Sequence, residues 1–440
     1  MTPLGPYGAP PRLGLAVSGG GDSLALALLA AEWARAQGGS VLAFIVDHGL
    51  RTAAAAEAAA AAETLARLDI PARVLTLDDL RTGASLPARA RAARLAALEA
   101  ACRDAGIIDL LLGHHAADQA ETIIMRRLRG SGPAGLAGMA ALSETASVRL
   151  LRPLLGVAPA QLRAVLMERG LGWAEDPTNA DGRFTRARLR TARADAGGAG
   201  PATRAFARAA SADGLARDVA ERSIADWLAT TATIRPEGFA LLPDAVWPSP
   251  ALAALLRMVT GDSYVPAAEA VDAIGAAPAR AIGRGICLGG ALLRPAGRLG
   301  PGFLICREPA AVAAAVSAKA GVVWDGRFRR PEIEPDLPGE TIGPLGSDAR
   351  SFRHISDLPA VVLETLPAYR GGCGDIMAVP ALNWPDLHSV AGRRLLSHPR
   401  HPASGGAFFA LSCRIDKAVM PAAAAGHEDR DALPRKTSYL

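Results

Sequence analysis

Short apolar runs alternating with helix-like stretches over the first 115 residues constrain the fold more than any single motif. The runs are Leu13–Val17, Val41–Val46, Arg73–Leu77 and Ile107–Leu112, each the length of a buried strand. Between them lie Leu24–Gln37, rich in Ala and Leu without Pro or Gly, the alanine-rich Thr52–Leu68, and Pro87–Ala105 with Arg89, Arg91 and Arg94. This β-α-β-α rhythm predicts an α/β fold, a parallel sheet with helices on both faces. In such sheets ligands sit at the carboxyl ends of the strands. Three polar segments follow strand ends here, Ser18–Ser23, Asp47-His48 and His114-His115. One crevice would gather all three.

The first of these segments, Ser18-Gly19-Gly20-Gly21-Asp22-Ser23, lies between a strand and a helix. Glycines let the backbone pass close to an anion, and the helix start offers it unpaired N–H groups. The two serines add hydroxyls, so the turn is expected to hold phosphates. The P-loop pattern would end in a Lys-Ser/Thr pair that grips the β- and γ-phosphates. Asp22-Ser23 stands there instead, and the whole chain has only three lysines. An acid beside a triphosphate suits Mg²⁺ or a group near the α-phosphate. An ordinary glycine turn is the alternative in a chain with 46 Gly.

At 440 residues two or three domains are expected. Apolar residues make up 50% and charged residues 21%, as in a globular protein. Arginine supplies nearly all the positive charge, and the net charge of +5 permits a nucleic-acid partner without requiring one. Five scattered cysteines without a C-x-x-C pair argue against a zinc ribbon, a cluster or a disulfide framework, and fit a reducing compartment. With neither a signal peptide nor a long apolar run, the expected protein is cytoplasmic, without a membrane partner. Residues 1–200 read as the nucleotide-binding domain, 201–310 as a mostly helical domain ending in strands near Ile286–Leu288 and Phe303–Ile305. A small β-rich C-terminal domain over 320–395 and an irregular tail over 396–440 follow. The oligomeric state is left open, a homodimer included.

His114-His115 opens the stretch His114 to Thr122, where the fourth strand gives way to a helix. Asp118 and Glu121, spaced i, i+3, share one helix face. Such a pair suits Mg²⁺ or the ammonium of a cationic substrate, and equally a role in capping the helix. The histidines lack the H-E-x-x-H spacing of zinc sites and fit ring or phosphate contacts better. Asp47 and His48 suit contacts to a nucleotide, or simply a polar strand exit. Arg126, Arg127 and Arg129 precede Gly130-Ser131-Gly132, and Arg183, Arg186, Arg188 and Arg190 surround Phe184. They can track an RNA backbone with an aromatic for stacking, or form a solvated face.

Taken together, these residues resemble a known family. The Ser-Gly-Gly-x-Asp-Ser loop is similar to that of the N-type ATP pyrophosphatases, or PP-loop enzymes. Within them, several stretches resemble the tRNA(Ile)-lysidine synthetases: Val46–Arg51, His114–Thr122, Arg129–Gly132, Gly135–Met139, Arg152–Leu155, Glu175–Asn179 and Arg183–Arg186. The match runs in order over roughly residues 12 to 190, with a weaker likeness at Trp324-Asp325-Gly326-Arg327-Phe328. The resemblance implies ATP and Mg²⁺, and a tRNA(Ile) with a CAU anticodon whose wobble cytidine is adenylated at its C2 oxygen. Free L-lysine then attacks C2, giving lysidine, AMP and pyrophosphate.

The resemblance carries ATP binding to Ser18, Gly19, Gly20, Gly21, Asp22, Ser23, Asp47 and His48, with Mg²⁺ at Asp22. It carries catalysis or lysine binding to Asp118, Glu121, His114 and His115, and tRNA binding to Arg126, Arg129, Arg183, Arg186 and Arg188, with the helical domain also touching tRNA. Two positions depart from the family pattern. Ala117 stands where a second adjacent acid is common, and Leu95 where a Tyr usually follows Arg94. A tRNA thiolase of the same class would need cysteines, and only Cys102 lies in the nucleotide half. A metabolite synthetase would not explain the arginine clusters, and a non-catalytic RNA-binding module would release no pyrophosphate.

Overall fold

The computed structural model describes residues 1–47, 54–77, 86–145, 147–174, 185–193, 195, 197–262, 266–386, 392–399 and 403. His48, Arg183, Phe184 and the Glu175–Asn179 stretch lie outside the described residues. The chain divides into two compact units, Met1–Leu215 and Ala216–Phe408.

In the first unit the strands are β1 (Arg12–Val17), β2 (Ser40–Asp47), β3 (Ala72–Thr76), β4 (Asp109–Leu112), β5 (Leu142–Glu144) and β6 (Arg149–Leu151). The helices are α1 (Gly21–Ala36), α2 (Ala54–Arg67), α3 (Leu86–Asp104), α4 (Ala116–Leu128), α5 (Pro133–Leu136), α6 (Pro159–Glu168) and α7 (Thr185–Arg193). The sheet order is β3-β2-β1-β4-β6-β5, parallel except for the edge pair β5–β6. The expected four strands and three helices are all present, with ends shifted by one to three residues. Alternate strand residues feed two cores. Leu13, Leu15, Val17 and Leu111 pack with α1, α2 and α6, while Ala16, Phe44, Leu110 and Leu150 pack with α3. Helices thus cover both faces, which is why the strands are apolar on both sides.

The chain order reverses between β1 and β4, neighbours in the sheet joined through β2 and β3 in sequence. The loops after these two strands therefore diverge and open a crevice at their carboxyl ends.

The division between the two units falls within the long helix α8 (Pro201–Thr231). In the second unit α9 (Ser249–Thr260), α10 (Ala268–Ala276) and α11 (Pro278–Ile282) supply the expected helices. With them stands a five-stranded sheet of β7 (Thr233–Arg235), β8 (Phe239–Leu242), β9 (Ile286–Leu288), β10 (Ala291–Pro295) and β11 (Phe303–Arg307). Only β9 and β11 are expected from the sequence; β7 is wholly exposed and β10 ends in exposed Arg294 and Pro295. The α9 residues Leu252, Leu255 and Val259 pack on Leu293 and Ile305 of this sheet.

Beyond it, β12 (Val316–Ser317), β15 (Thr341–Pro344), β16 (Pro367–Arg370) and β17 (Ile376–Ala378) form one sheet, with α12 (Ala360–Leu363) preceding β16. Another joins β13 (Val323–Trp324), β14 (Phe328–Arg329) and β18 (Leu396–Ser397). In it Ser397 pairs with Phe328 and Leu396 with Arg329. The Trp324–Phe328 stretch is a structural hub. Buried Asp325 accepts from Arg327 Nε (2.7 Å), Arg307 Nε (3.2 Å) and the Ala313 N–H (2.9 Å).

Candidate active site

The phosphate loop leaves β1 through Gly19, whose φ of 82° lies in the left-handed region that glycine enters at no steric cost. It closes on itself through serines: the Ser18 N–H donates to Ser23 Oγ (3.1 Å), and that hydroxyl donates to the Gly20 carbonyl (2.9 Å). Gly20 caps α1 without any side-chain hydrogen bond, so the first-turn amides keep their capacity for an anion. From outside, the Ala174 N–H donates to the Gly19 carbonyl (3.2 Å), and the Trp173 ring lies where a Cβ on Gly21 would meet it at 3.2 Å.

His115 caps α4 and accepts at Nδ1 from the Asp118 N–H (3.4 Å), while Asp118 Oδ2 accepts from the His115 N–H (3.1 Å). Nε2 is then left to carry a proton toward Asp22 Oδ2, 3.3 Å away. Burial pushes the His115 pKa down, but the hydrogen bond to Asp22 and the charges of Asp118 and Asp22 outweigh it and hold it above the ordinary value. Asp22 Oδ1 is buried without a hydrogen-bond partner. One carboxylate with an unused oxygen beside an anion-binding loop fits Mg²⁺, which takes one or two protein carboxylates plus phosphate oxygens. Among the described residues no cluster of three or more His, Cys, Asp and Glu could hold a metal without a substrate.

Glu121 is fully buried one turn beyond Asp118, and both carboxylates meet Arg190 of α7. Arg190 Nε donates to Glu121 Oε1 at 2.7 Å and Nη2 to Oε2 at 3.4 Å, and Nη2 lies 3.5 Å from Asp118 Oδ1. An unbroken chain of polar contacts therefore runs Asp22–His115–Asp118–Arg190–Glu121. Arg190 belongs to a cluster legible in the sequence, but nothing there singles it out. Its partner lies 69 residues away, beyond the reach of any local spacing rule.

Adjacent histidines on extended backbone point to opposite faces. His115 turns toward α1, and His114 toward α3 with Arg91 and Arg152. Burial pushes the His114 pKa down to about 4; Asp118 opposes this, and the charges of Arg152, Arg91 and Arg186 add to it. His114 Nδ1 is buried without a partner.

These groups line one cavity of about 1000 Å³, in which Ser18 and Gly20–Ser23 face His114, His115, Asp118 and Glu121. Asp47 ends β2 one strand over and is not among the described residues lining it. The arginines assigned to RNA divide. Arg129 and Arg188 are exposed. Arg126 donates through Nη1 to the carbonyls of Gly135 (2.6 Å) and Gly138 (2.7 Å), closing the glycine-rich turn after α4, and Arg186 Nε lies 3.9 Å from Glu121. Gln119 was not expected from the sequence. Its amide bridges the N–H (2.7 Å) and C=O (3.0 Å) of Met139, which ties the Gly135–Met139 stretch to α4. Ala117, where the family often has a second acid, lines the cavity and lies beside Gly198, where a built Cβ would meet the alanine methyl at 3.1 Å.

The family model of the PP-loop domain matches residues 6–194. The chain is 35% identical over 380 residues to the tRNA(Ile)-lysidine synthase of Ruegeria pomeroyi, covering 84% of this chain and 88% of that one. It is 42% identical over 202 residues to the tRNA(Ile)-lysidine synthase of Bradyrhizobium diazoefficiens, covering 46% of this chain and 56% of that one. That match spans only about half of the relative's length. Among solved structures, a U34-tRNA thiolase of Methanococcus maripaludis is similar at 18% identity and a TM-score of 0.39, covering 45% of this chain and 70% of that one.

Proposed function

The chain belongs to the tRNA(Ile)-lysidine synthase family, and from that premise we propose that it ligates lysine to the wobble cytidine of a CAU-anticodon tRNA(Ile) in the cytoplasm. The C2 oxygen of the cytidine attacks the α-phosphorus of ATP, and pyrophosphate leaves. The ε-amine of lysine then attacks C2, the C2–O bond breaks, and AMP departs. What supports this reading above all is the Asp22–His115–Asp118 contact, which joins the phosphate loop to the acidic pair across a single cavity.

Each residue's part follows from its surroundings. The open amides at the start of α1 receive the departing pyrophosphate, whose charge grows as the α-phosphorus is attacked. Asp22, with its unpartnered Oδ1, would hold Mg²⁺, which would supply further neutralisation of that charge. His115 holds Asp22 in place and keeps a proton at Nε2. Asp118 and Glu121 bind the ammonium of lysine, in competition with Arg190, and its deprotonation precedes attack. Exposed Arg129 and Arg188 meet the RNA backbone, where each contact adds to a salt-dependent affinity.

The test is incubation with ATP, labelled lysine and unmodified CAU tRNA. Pyrophosphate release that requires the tRNA, with label in the RNA, is the expected result. Release without any lysine entering the tRNA refutes the proposal.

A further inference from the structure

The wall of the cavity on the α3 side has a chemistry that the steps above leave unused. Along β4 and its exit, Leu110, Leu112 and His114 share the α3 face, and Leu150 with Arg152 continues the pattern on β6. Leu98, Leu112 and Leu150, which pack in one apolar cluster, line the cavity together with Arg91, Arg94, Arg152 and His114. None of the three arginines forms an ion pair among the described residues. Arg152 Nη1 donates to the Ala140 carbonyl (2.9 Å) and Ser143 Oγ (3.0 Å), while its Nε is buried without a partner, as is His114 Nδ1. Burial and the neighbouring Arg91 push Arg152 down to about 10 and also lower Arg94. Crowded cations without a counter-ion oppose folding and point to a ligand that brings the anion.

Apolar side chains, an imidazole and cations lining one cavity suit a nucleotide: base face on the leucines, base edge at the ring, phosphates at the arginines. We propose that this wall seats the target cytidine, with His114 Nδ1 accepting a hydrogen bond from the exocyclic N4 amine. The assignment rests on the lysidine reading above. An amine-bearing base edge is also present in the adenine of ATP. Three arginines favour the cytosine, because a splayed RNA strand brings phosphates on both sides of the base. Uracil would set a carbonyl against the same nitrogen, and a site built to pair a polar edge rejects an analogue that leaves it unpaired.

The test uses the full chain and compares substrates within each variant, so that partial loss of fold cancels. The wobble base is cytosine or pyrimidin-2-one, which lacks only the amine, and the readout is tRNA-dependent pyrophosphate release. The wild type is expected to favour cytosine by at least tenfold, His114→Phe to treat both alike, and His114→Asn, which keeps an acceptor, to retain part of the preference. A second comparison sets ATP against purine riboside triphosphate. If His114→Phe abolishes discrimination there instead, the amine is adenine's and the cytosine assignment is overturned. A preference unchanged in both comparisons overturns the role of His114 altogether. A wild type that releases pyrophosphate but never incorporates lysine refutes the lysidine reading, while the base comparison still tests the pocket.

Discussion

Protonating His114 should cost the protein stability, and the size of that cost follows from its surroundings. The ring's ordinary value is 6.5, and in the folded chain burial and the arginine charges of Arg152, Arg91 and Arg186, opposed by Asp118, bring it to about 4. Between those values the unfolded chain binds more protons than the folded one, so stability rises with pH there. The contribution is fully present above pH 6.5 and is lost as pH falls toward 4. For a shift of about 2.5 units the loss is about 2 kcal/mol at pH 5 and approaches about 3 kcal/mol near pH 4.

Two measurements test this. In a histidine-labelled sample, the resonance missing from His114→Gln should titrate near pH 4 in the wild type. In urea unfolding, the stability difference between wild type and His114→Gln should shift by about 2 kcal/mol between pH 7.5 and pH 5, with the wild type losing more. A resonance titrating near 6.5, or parallel pH curves for the two proteins, would refute the reasoning.

Three further perturbations separate the remaining parts. Asp22→Ala should abolish tRNA-dependent pyrophosphate release, whereas Glu121→Ala should mainly raise the lysine KM, with adenylated tRNA accumulating; equal loss of both steps in Glu121→Ala counts against this division. Arg190→Met removes a 2.7 Å contact from fully buried Glu121. With the Arg190 side chain 37% exposed, the cost should be about 2 kcal/mol in urea unfolding, below the usual range for buried pairs. Asp325→Asn weakens the hub that pairs Arg307 and nearly fully buried Arg327. It should destabilise the second unit by about 3 kcal/mol, seen as an earlier calorimetric transition.

The first unit was legible in sequence because parallel strands buried on both faces are continuous apolar runs, and because Gly19–Gly21 and the Asp118–Glu121 spacing are local signals. The five-stranded sheet of the second unit was less so. Thr233–Arg235 is wholly exposed, and Ala291–Pro295 ends in exposed Arg294 and Pro295, so neither reads as a core strand. The site itself divides in the same way. His115 capping α4 is a local event, whereas Arg190 on Glu121 and Gln119 on Met139 depend on how distant segments pack. Arg126 illustrates the limit: its charge is legible in the sequence, but its contacts to the Gly135 and Gly138 carbonyls depend on how the turn after α4 folds back.

The bracing of the phosphate loop by Trp173 and Ala174 bears on whether the hexapeptide is portable. The motif looks self-sufficient in sequence, yet one of its carbonyls and one face of its helix start are held by residues that enter the structure only after α6 is complete. Grafted onto another strand–helix turn, the same six residues would keep their serine bonds and lose that outer support. The competent unit is therefore the loop together with its late-arriving strut. During synthesis, the phosphate loop can gain this support only after Ala174 has been added to the chain.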